Sequence, residues 1–306
     1  MRVIETKGSV RKLAYAPCGP TLFFAERDRT SREWLLHWHD IGGSSDVRLE
    51  KRSPSTTAIC PALQVNRIAI WDHNEGIAVY STENPRLSTL AAYECEIAAN
   101  SPLDLSIDGR YLAWCRDAVD DGQVRRQIIL HEIAGDGERY FFAYEECRSL
   151  CFSPDATYVV SAGNQYVTLW NVKTNESVAT CRIPVASSDW FVDGVEQIAL
   201  FSTDAKLVFI VGRRYLHAWN PVADQLRTFP NAFWKQSKTV AFSHDGRFVA
   251  ISAKGSVELR EIHTSRRVRT YQWPVEHIHC MAFSPDGTTM AAGANQKIVI
   301  WDLDDI

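Results

Sequence analysis

No nucleophile elbow, glycine-rich phosphate loop or His-Glu-x-x-His stretch occurs in the 306 residues. Serine-hydrolase, nucleotide-cradling and zinc-peptidase chemistries therefore lack their usual frames. The eight cysteines stand at 18, 60, 95, 115, 147, 151, 181 and 280. None forms a Cys-x-x-Cys pair or a short-spaced disulfide framework, and most lie in apolar runs, where a free thiol packs as a small hydrophobe. No apolar run approaches the length that spans a bilayer, and the opening MRVIETKG has no apolar signal region. Together these point to a reducing, cytoplasmic setting without a membrane partner. A net charge of −4 and a pI near 6.1 argue against a general nucleic-acid binder, which would show a basic face. The basic run Arg266-Arg267-Val268-Arg269 reads instead as an outer strand blunted by charge against edge-to-edge pairing. Helical periodicity is also scarce.

Apolar runs of four to seven residues between turn signals fill the chain, the pattern of short strands. The clearest stretch runs from His277 to Asp305. Met281-Ala282-Phe283 is followed at once by Ser284-Pro285-Asp286-Gly287. Proline presets φ, aspartate accepts backbone hydrogen bonds and glycine takes the positive-φ corner, so two strands meet in a tight reversal. A small apolar run follows, then Lys297-Ile298-Val299-Ile300-Trp301-Asp302, rich in β-branched residues. Copies of the turn recur at 105–109, 152–156, 201–205 and 242–246, and the strand ending in tryptophan recurs at 169–171 and 218–220. The first residues of successive turns lie 47, 49, 41 and 41 positions apart. The spacing predicts seven units of roughly 44 residues, within the range of four-stranded propeller blades.

On these motifs the chain resembles the WD-repeat family across nearly its whole length. The resemblance implies a single all-β domain over 1–306, a seven-bladed β-propeller of four-stranded antiparallel blades. The expected blades cover about 9–53, 54–94, 95–145, 146–185, 186–231, 232–273 and 274–306. One departure stands out. The Gly-His dipeptide whose histidine joins the strand tryptophan in a buried network is absent throughout, so those networks are expected to be incomplete. The seventh unit stops after its third strand, while Arg2 to Thr6 reads as a strand ahead of the first unit. The N-terminus is therefore expected to supply the missing outer strand and close the ring.

In such a ring the turns between first and second strands lie on one face, and the connections between blades share the other with the second-to-third loops. Two charged second-to-third loops are expected, 26–33 and Arg116 to Arg126, both solvated. The connections into the last three units read SSDWFVDG, NAFWKQ and QWPVEH, unusually aromatic for loops. The candidate partner-binding residues are Trp190, Phe191, Phe233, Trp234 and Trp273, with Arg213, Arg214 and Tyr215 beside them. Exposed aromatic clusters rimmed by polar groups mark interaction hot spots; the alternative is that these rings fill gaps between blades. The expected function is a non-catalytic, monomeric scaffold for a protein or peptide partner, with no cofactor and no metal. A propeller hydrolase or lactonase is the competing reading. Its pieces, Asp72 with His73, Asp117, Asp245, and His277 with His279 near Cys280, are scattered and lack further ligands. A third reading is assembly through the uncharged outer strand at 87–93.

Overall fold

The computed structural model describes the chain apart from residues 17–20, 29, 32–33, 42–45, 54–55, 63, 73–75, 82–87, 94–100, 136, 144–145, 185–198, 203, 212–214, 231–238, 254, 263, 265, 274–276 and 304–306. The described residues contain strands and turns and no helix. Among the described residues all ladders are antiparallel, and all but one join chain neighbours; the exception joins the two ends of the sequence.

Five sheets have four strands each. The long one joins β1 (Arg2–Tyr15), β2 (Thr21–Arg27), β3 (Trp34–Asp40) and β4 (Asp46–Ser53) to strands from the chain's end. Next come β5 (Thr56–Ala62), β6 (Arg67–Asp72), β7 (Gly76–Ser81) and β8 (Ser88–Tyr93), then β9 (Leu103–Leu105), β10 (Tyr111–Asp120), β11 (Gln123–Glu132) and β12 (Glu138–Phe142). The fourth unit holds β13 (Ser149–Phe152), β14 (Tyr158–Ala162), β15 (Tyr166–Asn171) and β16 (Ser177–Arg182). The fifth holds β17 (Ala199–Phe201), β18 (Val208–Val211), β19 (Tyr215–Asn220) and β20 (Gln225–Pro230). The sixth holds β21 (Val240–Phe242), β22 (Phe248–Ala253), β23 (Ser256–Glu261) and β24 (Arg267–Gln272). The chain ends with β25 (Ile278–Phe283) and β26 (Thr289–Asp302), which turns back on itself at Gln296 (φ 62°) and so brings the Leu303 amide to Thr288 O at 2.7 Å. Neighbouring sheets approach through their first strands, β1 to β5, β5 to β9, β9 to β13, β13 to β17 and β21 to β25, and within the long sheet β25 also approaches β1. These strands are the innermost, and the sheets stand radially as a β-propeller.

The propeller has six blades, not the seven that the repeat count predicts. The reason is β1. Its first half pairs with β26 (Arg2 opposite Ile300, Ile4 opposite Ile298) and its second half with β2 (Leu13 opposite Phe24, Tyr15 opposite Leu22). The first and last repeat units therefore merge into one six-stranded sheet, ordered β25-β26-β1-β2-β3-β4.

The crossing point on β1 is built from polar groups. At Lys7 and Gly8 both amides donate to Oε2 of Glu26, at 3.0 Å each, and Nε2 of His37 meets Oε1 at 3.0 Å. Glu26 is buried on β2. Burial alone would raise its carboxyl, but His37 and the two amides outweigh that and hold it below the usual range. A side chain at Gly8 would run into the carbonyl oxygen of Arg27. Further along, Ser9 Oγ donates to Asn295 Oδ1 at 2.7 Å, and the Tyr15 hydroxyl meets Thr289 Oγ1 at 3.1 Å.

The repeated turn shows why its residues recur. In units three to seven the serine hydroxyl donates to the aspartate two residues on, Ser106 to Asp108, Ser153 to Asp155, Ser202 to Asp204, Ser243 to Asp245 and Ser284 to Asp286, at 2.5 to 2.7 Å. The same hydroxyl accepts the amide five residues on, as from Thr289 at 2.9 Å. Each turn thereby satisfies its own backbone before tertiary contacts form. The core lies between sheets. Phe141 of unit three stacks on Trp170 of unit four at 4.2 Å, in a cluster with Cys115, Ile128, Leu150 and Val172. Trp71, Trp114 and Trp219 are fully buried, so truncating any one costs about 3–5 kcal/mol.

The missing Gly-His element has its expected consequence. Trp170 Nε1 finds Ser161 Oγ at 2.8 Å, whereas the buried indole nitrogens of Trp38, Trp114, Trp219 and Trp301 have no hydrogen-bond partner among the described residues.

Candidate docking face

The loop-to-face assignment follows from hydrogen bonds. Between interblade connections and second-to-third turns, Arg148 Nε donates to Asn164 Oδ1 at 2.7 Å and the Trp273 amide to Gly255 O at 3.1 Å; Arg126, on β11 of the hairpin that joins the second and third strands of its unit, donates to Ser101 Oγ at 3.2 Å. These connections share one face. On the opposite face the first-to-second turns hold the ends of third strands, as where the amide of Val172 reaches Thr157 O and that of Leu303 reaches Thr288 O.

Of the eight residues singled out from sequence, Trp190, Phe191, Arg213, Arg214, Phe233 and Trp234 lie outside the described residues. Tyr215 opens β19, its backbone opposite Pro230. Trp273 follows β24 on the face of the interblade connections. Its ring lies parallel to Tyr271, with centroids 5.8 Å apart, and 4.2 Å from the tilted ring of Trp301. Trp273 is thus half-buried against the core of the last two units.

Two expectations about charged loops are corrected. Arg116 to Arg126 is not a loop: β10 and β11 continue as a ladder from Tyr111 opposite Glu132 to Asp120 opposite Gln123. The turn at Asp121-Gly122 has φ of 49° and 75°, the left-handed pair that a two-residue hairpin requires. β9 ends opposite Trp114 and β12 opposite Gln127, so the last four rungs rise clear of flanking strands by about 13 Å. Glu26, placed in the other charged loop, is the buried carboxylate at the crossing point. Its burial left no mark in the sequence, because the amides it serves lie 18 and 19 residues away. The hairpin did leave one: Val119 and Val124 flank an Asp-Gly pair, a hairpin signal that the surrounding charges obscured.

The inner strands carry a polar set: Lys12 on β1, Cys60 on β5, Asp104 on β9, Cys151 on β13 and Cys280 on β25. Asp104 Oδ2 accepts the amide of Phe152 at 2.8 Å and Cys60 Sγ donates to Leu103 O at 3.1 Å. Burial pushes the Asp104 carboxyl up to about 7, against the pull of the amides of Phe152 and Leu105. Burial likewise brings Lys12 down to about 8, the charges of Cys280 and Cys60 opposing it, and sends Cys280 up to about 12. Burial raises the Cys60 thiol as well, so Cys60 and Cys280 are protonated near neutrality, which leaves them poor nucleophiles.

Among the described residues the pieces of an enzyme site do not converge. His279 meets Arg11 Nη1 at 3.1 Å and Asn295 Oδ1 at 2.9 Å, whereas Cys280 faces the carbonyl of Val10. Asp117 pairs with Arg126 at 3.3 Å, Asp245 sits in its turn, and His73 lies outside the described residues. Among the described residues no three histidine, cysteine, aspartate or glutamate side chains form a group that could hold a metal. Cys60, Cys115, Cys147, Cys151, Cys181 and Cys280 are free thiols. No helix among the described residues is long and apolar enough to cross a membrane.

Radial four-stranded sheets, repeated serine–aspartate turns and a face of interblade loops define a repeat-built β-propeller. Residues 140–171 and 265–302 match the family model described as WD domain, G-beta repeat. Over 65 residues the chain is 35% identical to an uncharacterised WD repeat-containing protein of Synechocystis sp., a match covering 21% of this chain and 19% of that protein. Both matches agree with the resemblance drawn from the turn and tryptophan motifs.

Proposed function

We propose that this propeller is a non-catalytic scaffold that presents the face of its interblade and second-to-third loops to a protein or peptide partner. The observation that carries this reading is the gathering of those connections on one face, held by hydrogen bonds from Arg148, Arg126 and Trp273. A closed ring makes that face rigid, so a partner meets a preorganised surface and loses little to ordering it. Trp273 and, as proposals, Trp190, Phe191, Phe233, Trp234, Arg213, Arg214 and Tyr215 supply the aromatic and cationic contacts that hot spots use.

The test is alanine substitution at Trp190, Trp234 and Trp273, with capture of partners from the native host compared against unsubstituted protein. Selective weakening of one partner by about 2 kcal/mol per substitution, with folding intact, supports the reading. Unfolding without selective loss returns the rings to the core.

A further inference from the structure

We propose that the β10–β11 hairpin is a docking knob, its tip fitting an apolar pocket rimmed by lysine or arginine on a folded protein partner. This rests on the reading of the loop face as the docking face and names the element that does the docking.

Val119 and Val124 sit directly opposite one another near the tip, so their side chains share one face of the ribbon. They are 76% and 72% exposed, an apolar pair that a solvated hairpin has no need of. Two and four residues down the same face come the Asp117–Arg126 pair and then Cys115 with Ile128, buried against unit four. The valines therefore crown a ribbon face that is anchored at its base.

The charges around them decide what the partner offers. Arg116 donates to Gln127 Oε1 at 2.7 Å and reaches Glu138 at 3.6 Å. Arg126 holds Asp117 and Ser101, and the Arg125 guanidinium lies 4.7 Å over the Phe142 ring. Each cation is engaged within the unit. Asp121, exposed at the turn, is left to face outward. The tip thus presents two apolar side chains beneath a negative cap. A cationic rim complements it, and an apolar pocket matches its convex shape.

The tip is rigid for a reason legible in the turn. Asp121 and Gly122 both occupy left-handed backbone, which aspartate tolerates and glycine prefers. Asp121→Asn keeps that conformation and removes only the charge, and Val119→Thr with Val124→Thr keeps shape and strand preference while adding hydroxyls.

The experiment places a photo-crosslinking amino acid at position 119 of the full chain in its native host and maps the crosslinked peptide. Affinity of the identified protein is then measured for unsubstituted, V119T/V124T, D121N and W273A chains at two salt concentrations. A crosslink to an apolar surface bordered by lysine or arginine is expected. Affinity should fall about 30-fold in V119T/V124T and about threefold in D121N, with weaker salt dependence in D121N. Affinity that ignores V119T/V124T but falls in W273A overturns the knob and spares the face; affinity indifferent to all three overturns both. A crosslink to nucleic acid, lipid, a second copy of this chain or nothing also overturns the knob.

Discussion

Replacing Glu26 with alanine tests how the ring is held. The substitution strips the acceptor from the amides of Lys7 and Gly8 and from the His37 ring. Each bond to a charged group contributes about 1.5–3 kcal/mol, and the Gly8 amide is left buried without an acceptor. Since the three bonds share one carboxylate and β1 can relax, the total is about 4 kcal/mol rather than the sum. With an unfolding entropy near 2.1 cal/mol/K per residue over 306 residues, the melting temperature falls by about 6 °C. The pH dependence has a fixed sign. A carboxyl held below its unfolded value stabilises the fold above that value and loses the contribution as pH falls through the folded one. Thermal melts from pH 7 down to pH 3 should therefore show unsubstituted protein and E26A converging in acid. A difference under 1 °C at pH 7, or one that persists unchanged in acid, refutes the reasoning.

Deleting Met1–Lys7 leaves β26 without its partner ladder at Arg2 to Glu5, so solubility and melting temperature should fall sharply; an unchanged melt contradicts closure by β1. Asp104→Asn keeps an acceptor for the Phe152 amide and removes a carboxyl raised from 3.8 to about 7. A carboxyl raised on folding stabilises below its unfolded value, and that contribution is lost as pH rises from about 4 to about 7. The variant should match unsubstituted protein at pH 4 and exceed it at pH 8 by about 2 kcal/mol, half the full linkage because the half-buried Asp104 keeps contact with water; denaturant unfolding at both pH values decides. Ala292 stands eight residues after Ser284 and nine before Trp301, as Ser161 stands to Ser153 and Trp170. Ala292→Ser should give the Trp301 indole the partner that Trp170 has and add about 1 kcal/mol; a lowered melting temperature counts against it.

What the sequence discloses divides along contact range. The serine–aspartate turns and the strands ending at Trp170, Trp219 and Trp301 are local, so their chemistry is spelled in adjacent residues. That the strand from Arg2 to Thr6 completes the last unit is legible in two incomplete ends; its register, Ile4 opposite Ile298, and the merging of two units into one sheet are not. That merger depends on β1 running unbroken past Gly8, where the space is closed by Arg27. Glu26 read as a solvated charge because nothing near it announces the amides it serves. In 116–126 six charges obscure the alternation that makes a hairpin.

The most direct measurement is hydrogen exchange of the β1 amides in the native protein. Strand closure predicts that amides of Arg2 to Glu5 engaged in the ladder to β26 exchange as slowly as those of Ile298 to Ile300, through global opening. Exchange of Arg2 to Glu5 within seconds, while Ile298 to Ile300 stay protected, would show an end that is not part of the sheet and contradict the account.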